Sequence, residues 1–356
     1  MPRGPHFLLF ACIGFALSLS FLASVYQVHN LSFAPWTKFS ELFFGTLRVE
    51  KTYPDSAIFV GDVMLARDVE RKIRLYKQDP FAHTHDLFTD ATYVVGNFEA
   101  AIPEHHTPTK DNTFIFSVDS DLAARLKPAG FTHLSLANNH SLDFGESGYA
   151  HTRSSLASSG LTVFGHEATT SLDISVATIL LDKQAVAIVG INFVTKQLDV
   201  QAVTDLVATL EKQTNQQLVY VHWGNEYQLK HTKQQEELAH ALIEAGADAV
   251  IGNHPHVAQD IEVYEGVPIF YSLGNFVFDQ YFSQDVQEGL MLTVSVVDTK
   301  LQFTLTPITS LGTPATPREM EGQQKDDLIA RILRTSSPEV ATYFDPAVLA
   351  ISPQID

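Results

Sequence analysis

The sequence predicts an α/β domain preceded by an N-terminal membrane segment. Two observations carry the domain. From Ala57 onward, short runs rich in β-branched and aromatic residues alternate with stretches of helical periodicity, and several of those runs stop at a polar cluster that contains glycine. A third observation carries the segment: FLLFACIGFALSLSFLASVY, residues 7–26, is uncharged over 20 positions, enough for one helix to span a bilayer.

The elements follow in chain order. Residues 1–29 read as an anchor or a signal. A lipoprotein signal ending at Cys12 has only five apolar residues before the cysteine, and a cleaved signal lacks a clean small-x-small exit, so an uncleaved anchor is the preferred reading. Arg3 and the amino terminus are the only positive charges ahead of the span. They favour an N-inside, single-pass protein of the cell membrane whose later residues lie outside the cytoplasm. Residues 30–56 form a connector, 57–308 the main domain, and 309–356 a loop, a helix and a tail.

Within the main domain, strands are expected at 57–65, 92–99, 132–140, 175–181, 185–193, 218–224, 248–254 and 268–278, then at 290–298 and 301–308 as an antiparallel hairpin. Helices are expected at 119–130, 147–160, 199–214, 233–247 and, in the C-terminal part, 324–334. Glycines 130, 160 and 246 stand where left-handed C-caps belong.

At 356 residues with 45% apolar residues, the chain can bury a substantial core. Its formal charge of −18 argues against nucleic acid and against a broad polyanion-binding surface, so an anionic ligand needs a local positive centre. Cys12 is the only cysteine, which leaves the exported part without a disulfide.

Several strand candidates end in a residue able to bind metal. In order these are Asp62 in VGDVML, Asn97 and Glu99 in VGNFEAA, Asn139 and His140 in LANNHSLDFG, His222 in VHWGNEY, and His254 with His256 in IGNHPHV. Ligands of open α/β sheets bind beyond the carboxyl ends of the strands, so these residues are candidates for one pocket. Taken singly, each motif is explained as well by a turn, a cap or a satisfied core histidine. In the last motif, Pro255 is expected to keep His254 extended, so that His254 and His256 face one point, and Gly252 to permit a sharp exit or a close backbone approach. Imidazoles, carboxylates and carboxamide without a thiolate suit one or two ions of Mn, Fe or Zn at a hydrolytic site. The basic run Arg67, Arg71, Lys72, Arg74 and Lys77 reads either as part of that positive centre or as a solvated helix face.

GDVMLAR, GNFE, AGFTHLSLANNHSLDFG, VHWGNEY, HALIEAGADAVIGNHPHVAQDIEVYEGVPIFYSLGNFVFDQ and EGLML closely resemble the bacterial capsule-synthesis CapA/PgsA proteins, which are associated with poly-γ-glutamate capsules. The resemblance runs from about Ile58 to Thr306. That family is related to calcineurin-like metallophosphoesterases. The relation implies a two-sheet β-sandwich flanked by helices, with metal at the strand ends.

By that resemblance Asp62 and His256 correspond to ligands of a first metal. Glu99, with Asn97 beside it, corresponds to the bridging position. Asn139, His222 and His254 correspond to ligands of a second metal, and His140 to the histidine that contacts substrate or leaving group. Tyr271, Asn275 and Asp279, in YSLGNFVFDQ, match a signature that lines the pocket or supports it. Two departures stand out: Met64 occupies the place of the histidine in the Asp-x-His of the phosphoesterase relatives, and Ser117, Val118 and Asp119 replace an Arg-Ala-Pro.

The function so implied is an anchored capsule-synthesis protein with a metal-dependent hydrolase or transferase site. Its substrate would be an exported anionic polymer, or a phosphate-ester or amide linkage in it, and its partners membrane synthase or export components. A non-catalytic assembly factor that keeps the metal, and a general envelope phosphoesterase, are the alternatives.

Overall fold

A computed structural model of the protein describes residues 55–110, 113–195 and 198–352. The apolar segment 7–26, the connector up to residue 54 and Cys12 lie outside the described residues. Among the described residues no helix is long and apolar enough to cross a membrane.

The strands are β1 (Ser56–Val63), β2 (Tyr93–Phe98), β3 (His133–Ser135), β4 (Thr162–Phe164), β5 (Val176–Leu181), β6 (Gln184–Asn192), β7 (Gln216–His222), β8 (Ala249–Asn253), β9 (Ile261–Tyr264), β10 (Val267–Phe270), β11 (Asn275–Val277), β12 (Glu288–Val297), β13 (Lys300–Thr309), β14 (Arg318–Glu319), β15 (Phe344–Asp345) and β16 (Ala350–Ile351). They form two sheets. A ten-stranded sheet runs β15-β16-β13-β12-β1-β2-β3-β4, with β11 added on β1 and β14 on β13. A six-stranded sheet runs β5-β6-β7-β8-β10-β9. In the first, β1 to β4 are parallel; in the second, β6, β7, β8 and β10 are.

Period-two alternation explains why the sheets face each other. On β1, Ala57 and Phe59 enter the core between the sheets while Ile58 and Val60 enter an outer core. On β7, Leu218 and Tyr220 point between the sheets, and Val219 and Val221 pack outward with the helices Val200–Leu210 and Lys233–Glu244. The helices Arg67–Tyr76 and Gly145–Ser158 cover the outer face of the other sheet. A strand buried on both faces reads as a nearly continuous apolar run, which is why these strands stand out in the sequence.

The hairpin of β12 and β13, the helices at 145–158, 200–210, 233–244 and 322–335, and positive φ at Gly130, Gly160 and Gly246 agree with the sequence reading. Other spans are corrected. The run 268–278 is two strands in two sheets, because Gly274 at φ 75° turns the chain out of β10 and lets β11 join β1. Helix 119–130 shrinks to Ser120–Ala123, followed by turns that run through Lys127-Pro128 to Gly130. Strand 132–140 stops at Ser135. The described part of residues 309–352 adds β14, β15 and β16 to the larger sheet.

Two glycines set how closely the backbones approach. A Cβ on Gly61 would lie 1.7 Å from the Gly274 carbonyl oxygen, and one on Gly252 would lie 2.0 Å from that of Tyr271. Gly252 is thus a close-approach residue. Gly61→Ala is expected to lower stability by about 3 kcal/mol or more through overpacking, read as a fall in the unfolding midpoint. A loss under about 1 kcal/mol would mean that β11 is free to move away.

Buried His133 on β3 is pushed down to about 4, chiefly by burial and next by the charge of Lys127. The unfolded chain therefore binds more protons between its ordinary value of 6.5 and about 4. Stability should be intact above pH 6.5 and fall as the pH drops through that window, by on the order of 3 kcal/mol from this residue. His133→Gln should flatten the dependence of the unfolding midpoint on pH across it.

Candidate metal centre

The parallel strands of both sheets end at one edge, and the chain leaves them through the polar clusters singled out above. Asp62 is the penultimate residue of β1, Asn97 lies in β2 with Glu99 just beyond it, His222 closes β7, and His254 and His256 follow β8. Asp62, Asn97, Glu99, His222, His254 and His256 are all buried.

Their polar atoms meet. Asn97 Nδ2 donates to Asp62 Oδ1 at 2.8 Å and lies 3.1 Å from His222 Nδ1. His256 Nδ1 is 3.2 Å from Asp62 Oδ2, and His256 Nε2 is 3.8 Å from Glu99 Oε1. Asn139 Oδ1 lies 2.7 Å from His222 Nε2, and the His254 backbone N–H donates to Asp62 Oδ2 at 3.3 Å. Two wholly buried sets of donor atoms result, Asp62 with Glu99 and His256, and Glu99 with His222 and His254. Within each set the atoms lie within 4.8 Å of one another. Glu99 belongs to both.

One observation tests whether a cation fits. Glu99 is wholly buried, and neither of its carboxylate oxygens has a hydrogen-bond partner. A buried charge without a partner costs several kcal/mol. Burial and then the charge of Asp62 push Glu99 well above the usual carboxylate range. His254 Nδ1 is likewise buried without a partner. Burial, reinforced by neighbouring imidazoles, holds His222 well below its ordinary value and His254 at about 3, so both rings are neutral donors near pH 7. Neutral imidazoles beside carboxylates are what a divalent ion of the Mn, Fe or Zn kind requires.

The backbone route through the His-Pro-His stretch differs from the expectation. His254 has φ 96° and His256 φ 58°, so the two rings converge through a left-handed bend and not through an extended chain. Such conformations cost about 1–3 kcal/mol each in non-glycine residues. Asn275 Oδ1 lies 2.9 Å from His256 Nδ1 and fixes that ring.

His140 lies beside the donors. Its Nε2 is 3.8 Å from Glu99 Oε1, and its Nδ1 is 3.0 Å from Asp143 Oδ2, which also accepts the Phe116 N–H at 2.6 Å. The Phe116 ring stacks on His140 with centroids 3.9 Å apart, and the Arg67 guanidinium sits 4.5 Å from the Phe116 centroid on its way to a bidentate pair with Asp279. A cavity of about 380 Å3 opens here, lined by Arg67, Phe116, His140, Glu226, His256 and Asp279 among others.

The structure places three further features of the sequence reading. Tyr271 does not line this cavity; its ring is packed between Trp223 and His231, and its hydroxyl donates to Glu262 at 2.5 Å. Of the basic run, only Arg67 and Arg71 reach the cavity wall. Arg71 and Lys72 pair with Asp68, and Arg74 with Glu70, Asp119 and Asp121, on the helix Arg67–Tyr76. Met64 is buried in the outer core, its sulfur accepting the Ala66 N–H, so no imidazole enters from that position.

The sequence reading missed three residues. Asn138 donates to Asn97 Oδ1 and the Phe98 carbonyl and accepts the His140 N–H, which ties the end of β2 to the loop after β3. Asp143 orients His140. Glu226 brings a carboxylate oxygen within 4.8 Å of the donor atoms of His254 and His256. All three lie inside motifs already picked out, ANNHSLD and HWGNE, but only a fold shows that they face the site.

The model of the family described as bacterial capsule synthesis protein PGA_cap matches residues 56–280, which include every donor described above. The chain belongs to that family. The PGA biosynthesis protein CapA of Bacillus subtilis (strain 168) is 31% identical over 308 residues, covering 81% of this chain and 80% of that protein. The capsule biosynthesis protein CapA of Bacillus anthracis is 33% identical over 260 residues, covering 65% of this chain and 62% of its own length. Among solved structures, a hypothetical protein from Thermus thermophilus is 19% identical with a TM-score of 0.46, covering 75% of this chain and 99% of that one. A 5'-nucleotidase precursor of the same organism is 12% identical with a TM-score of 0.44, covering 78% and 58%.

Within the PGA_cap domain, Glu99→Gln separates charge from packing. Without metal the variant should be at least as stable as the wild type, since a neutral amide of the same size replaces a carboxyl group that burial and Asp62 disfavour as an anion. Adding Mn2+ at about 100 times its Kd should then stabilise the wild type by about 2.7 kcal/mol and the variant much less. Equal stabilisation of both would exclude Glu99 as a ligand.

Proposed function

We propose that this PGA_cap protein is a membrane-anchored, metal-dependent hydrolase or transferase acting on an exported anionic polymer, or on a phosphate-ester or amide linkage in it. The observation that carries the reading is the buried, unpartnered Glu99 carboxylate shared by two donor sets, with an oriented imidazole, His140, beside it. Asp62, Glu99 and His256 would hold one ion, and Glu99, Asn139, His222 and His254 a second. A divalent ion there supplies a Lewis acid and a source of hydroxide near neutral pH.

The chain's own residues do the rest. Asp143 holds His140 Nδ1, which leaves Nε2 facing the donor cluster as the atom that gives a proton to a leaving group. Phe116 packs on the ring and limits its rotation. Arg67, locked by Asp279 and with Nη1 3.5 Å from the Thr113 carbonyl, lies in the cavity wall, where its guanidinium would meet an anionic group of the substrate. The uncharged segment 7–26 supports an anchor with this domain outside the cytoplasm, where polymer and any membrane synthase or export partner would meet it.

The buried Met64 favours a second reading, a non-catalytic assembly factor that keeps a partial metal site. His140→Ala in the full-length protein separates the two. The catalytic reading expects polymer production to fall by about 10²–10⁴-fold, the usual contribution of a positioned general acid, with metal content and unfolding midpoint unchanged. Undiminished production would sink it in favour of the assembly factor.

A further inference from the structure

We propose that Glu226 is a metal ligand that closes the cluster from the solvent side, as Glu99 closes it from the core side. The inference rests on the reading of the cluster as a metal site and extends it to a residue outside both buried donor sets.

Exposed glutamates are ordinarily solvated, so the case rests on how this one is held. The loop after β7 turns through two left-handed residues, Gly224 at φ 86° and Tyr227 at φ 63°. The Tyr227 N–H then donates to the Pro255 carbonyl at 2.8 Å, fastening the loop to the bend that carries His254 and His256. The fastening brings the Glu226 carboxylate within 4.8 Å of the donor atoms of both histidines.

Charge makes the same point. With Asp62 and Glu99, Glu226 is a third carboxylate around three imidazoles, and the Arg67 guanidinium nearby is already paired with Asp279. Without a cation, such a loop would hold like charges together. An independent observation points to a ligand: His254 Nδ1 and both oxygens of Glu99 are buried without a partner. Among the described residues that could hold the ion, Glu226 is also the exposed carboxylate. Its side chain would therefore reach the ion from the solvent side without opening the core.

The test uses full-length protein loaded with Co2+, compared as wild type, Glu226→Gln and Glu226→His. Both the visible absorption of the bound ion and its affinity by titration are recorded. Ligation predicts that Glu226→Gln changes the absorption bands and weakens binding of at least one equivalent about tenfold or more, the scale on which even outer partners of a metal site act. Glu226→His, which supplies a neutral donor, should restore affinity. A spectrum unchanged in Glu226→Gln overturns the proposal, whether affinity holds or falls, since a fall alone marks a distant charge. Unrestored affinity in a folded Glu226→His likewise counts against ligation. Failure of the wild type to bind Co2+, Mn2+ or Zn2+ would instead overturn the metal site itself, and this proposal with it.

Discussion

Asp62 and Glu99 are carboxylates with no access to water, set where the strand ends of the two sheets come together. Burying an ion costs several kcal/mol even after relaxation, so the surrounding residues must answer that charge or the fold must yield. Asp62 is answered in part: Asn97 and the His254 N–H donate to it, and His256 lies beside it. Glu99 accepts no hydrogen bond, and its nearest imidazole nitrogens, of His140 and His256, stand 3.8 Å away. The asymmetry explains the composition of the shell. It contains imidazoles and a carboxamide, groups able to share an ion, where a purely structural carboxylate would be met by arginine or by backbone N–H groups.

Holding that shell requires backbone that ordinary sequence disfavours. Arg67, Tyr227, His254 and His256 all have positive φ, and each belongs to the donor cluster or the cavity wall. Conformations of this kind persist only where packing over-determines them. Here the core supplies that packing. Gly61 and Gly252 let β11 and the Tyr271 backbone come so close that no side chain would fit between, and Asn138 cross-links β2 to the loop that carries His140. The rigidity of the four layers and the strain at the rim are therefore linked, since a looser junction would let the histidines relax to common conformations.

Much of this was legible in the residues. Strands buried on both faces announce themselves as apolar runs, and a polar residue that ends such a run marks a strand end whatever its partners. Asp62, Asn97, Glu99, His222, His254 and His256 were found in that way. Backbone conformation was not legible, because nothing in Asn-His-Pro-His separates an extended dipeptide from a left-handed bend. Tyr271 misled for a related reason. The motif YSLGNFVFDQ looks continuous, yet Gly274 divides it between two sheets, so Tyr271 belongs to a different wall from Asn275 and Asp279. Asn138 and Asp143 went unread because their importance lies in what they hold, and that depends on long-range contacts no local pattern encodes.

The acidity of the chain bears on what the site can admit. At physiological ionic strength exposed charges are screened over about 8 Å, so the net charge of −18 acts on a polyanion mainly where the two surfaces would run side by side. Contact along a length of such a polymer meets that repulsion at every repeat. Entry of one terminus or one linkage into a cavity of about 380 Å3 meets it only at the mouth. Inside, the setting changes, because a divalent ion between Asp62, Glu99 and the histidines would offset those carboxylates and give a local positive centre in a poorly screened setting, beside an Arg67 already held by Asp279. Under the proposed function, the acidic surface and a metal-centred local positive charge in the pocket together favour an end or a single linkage over an extended segment. Selectivity then follows from where charge is screened and where it is not.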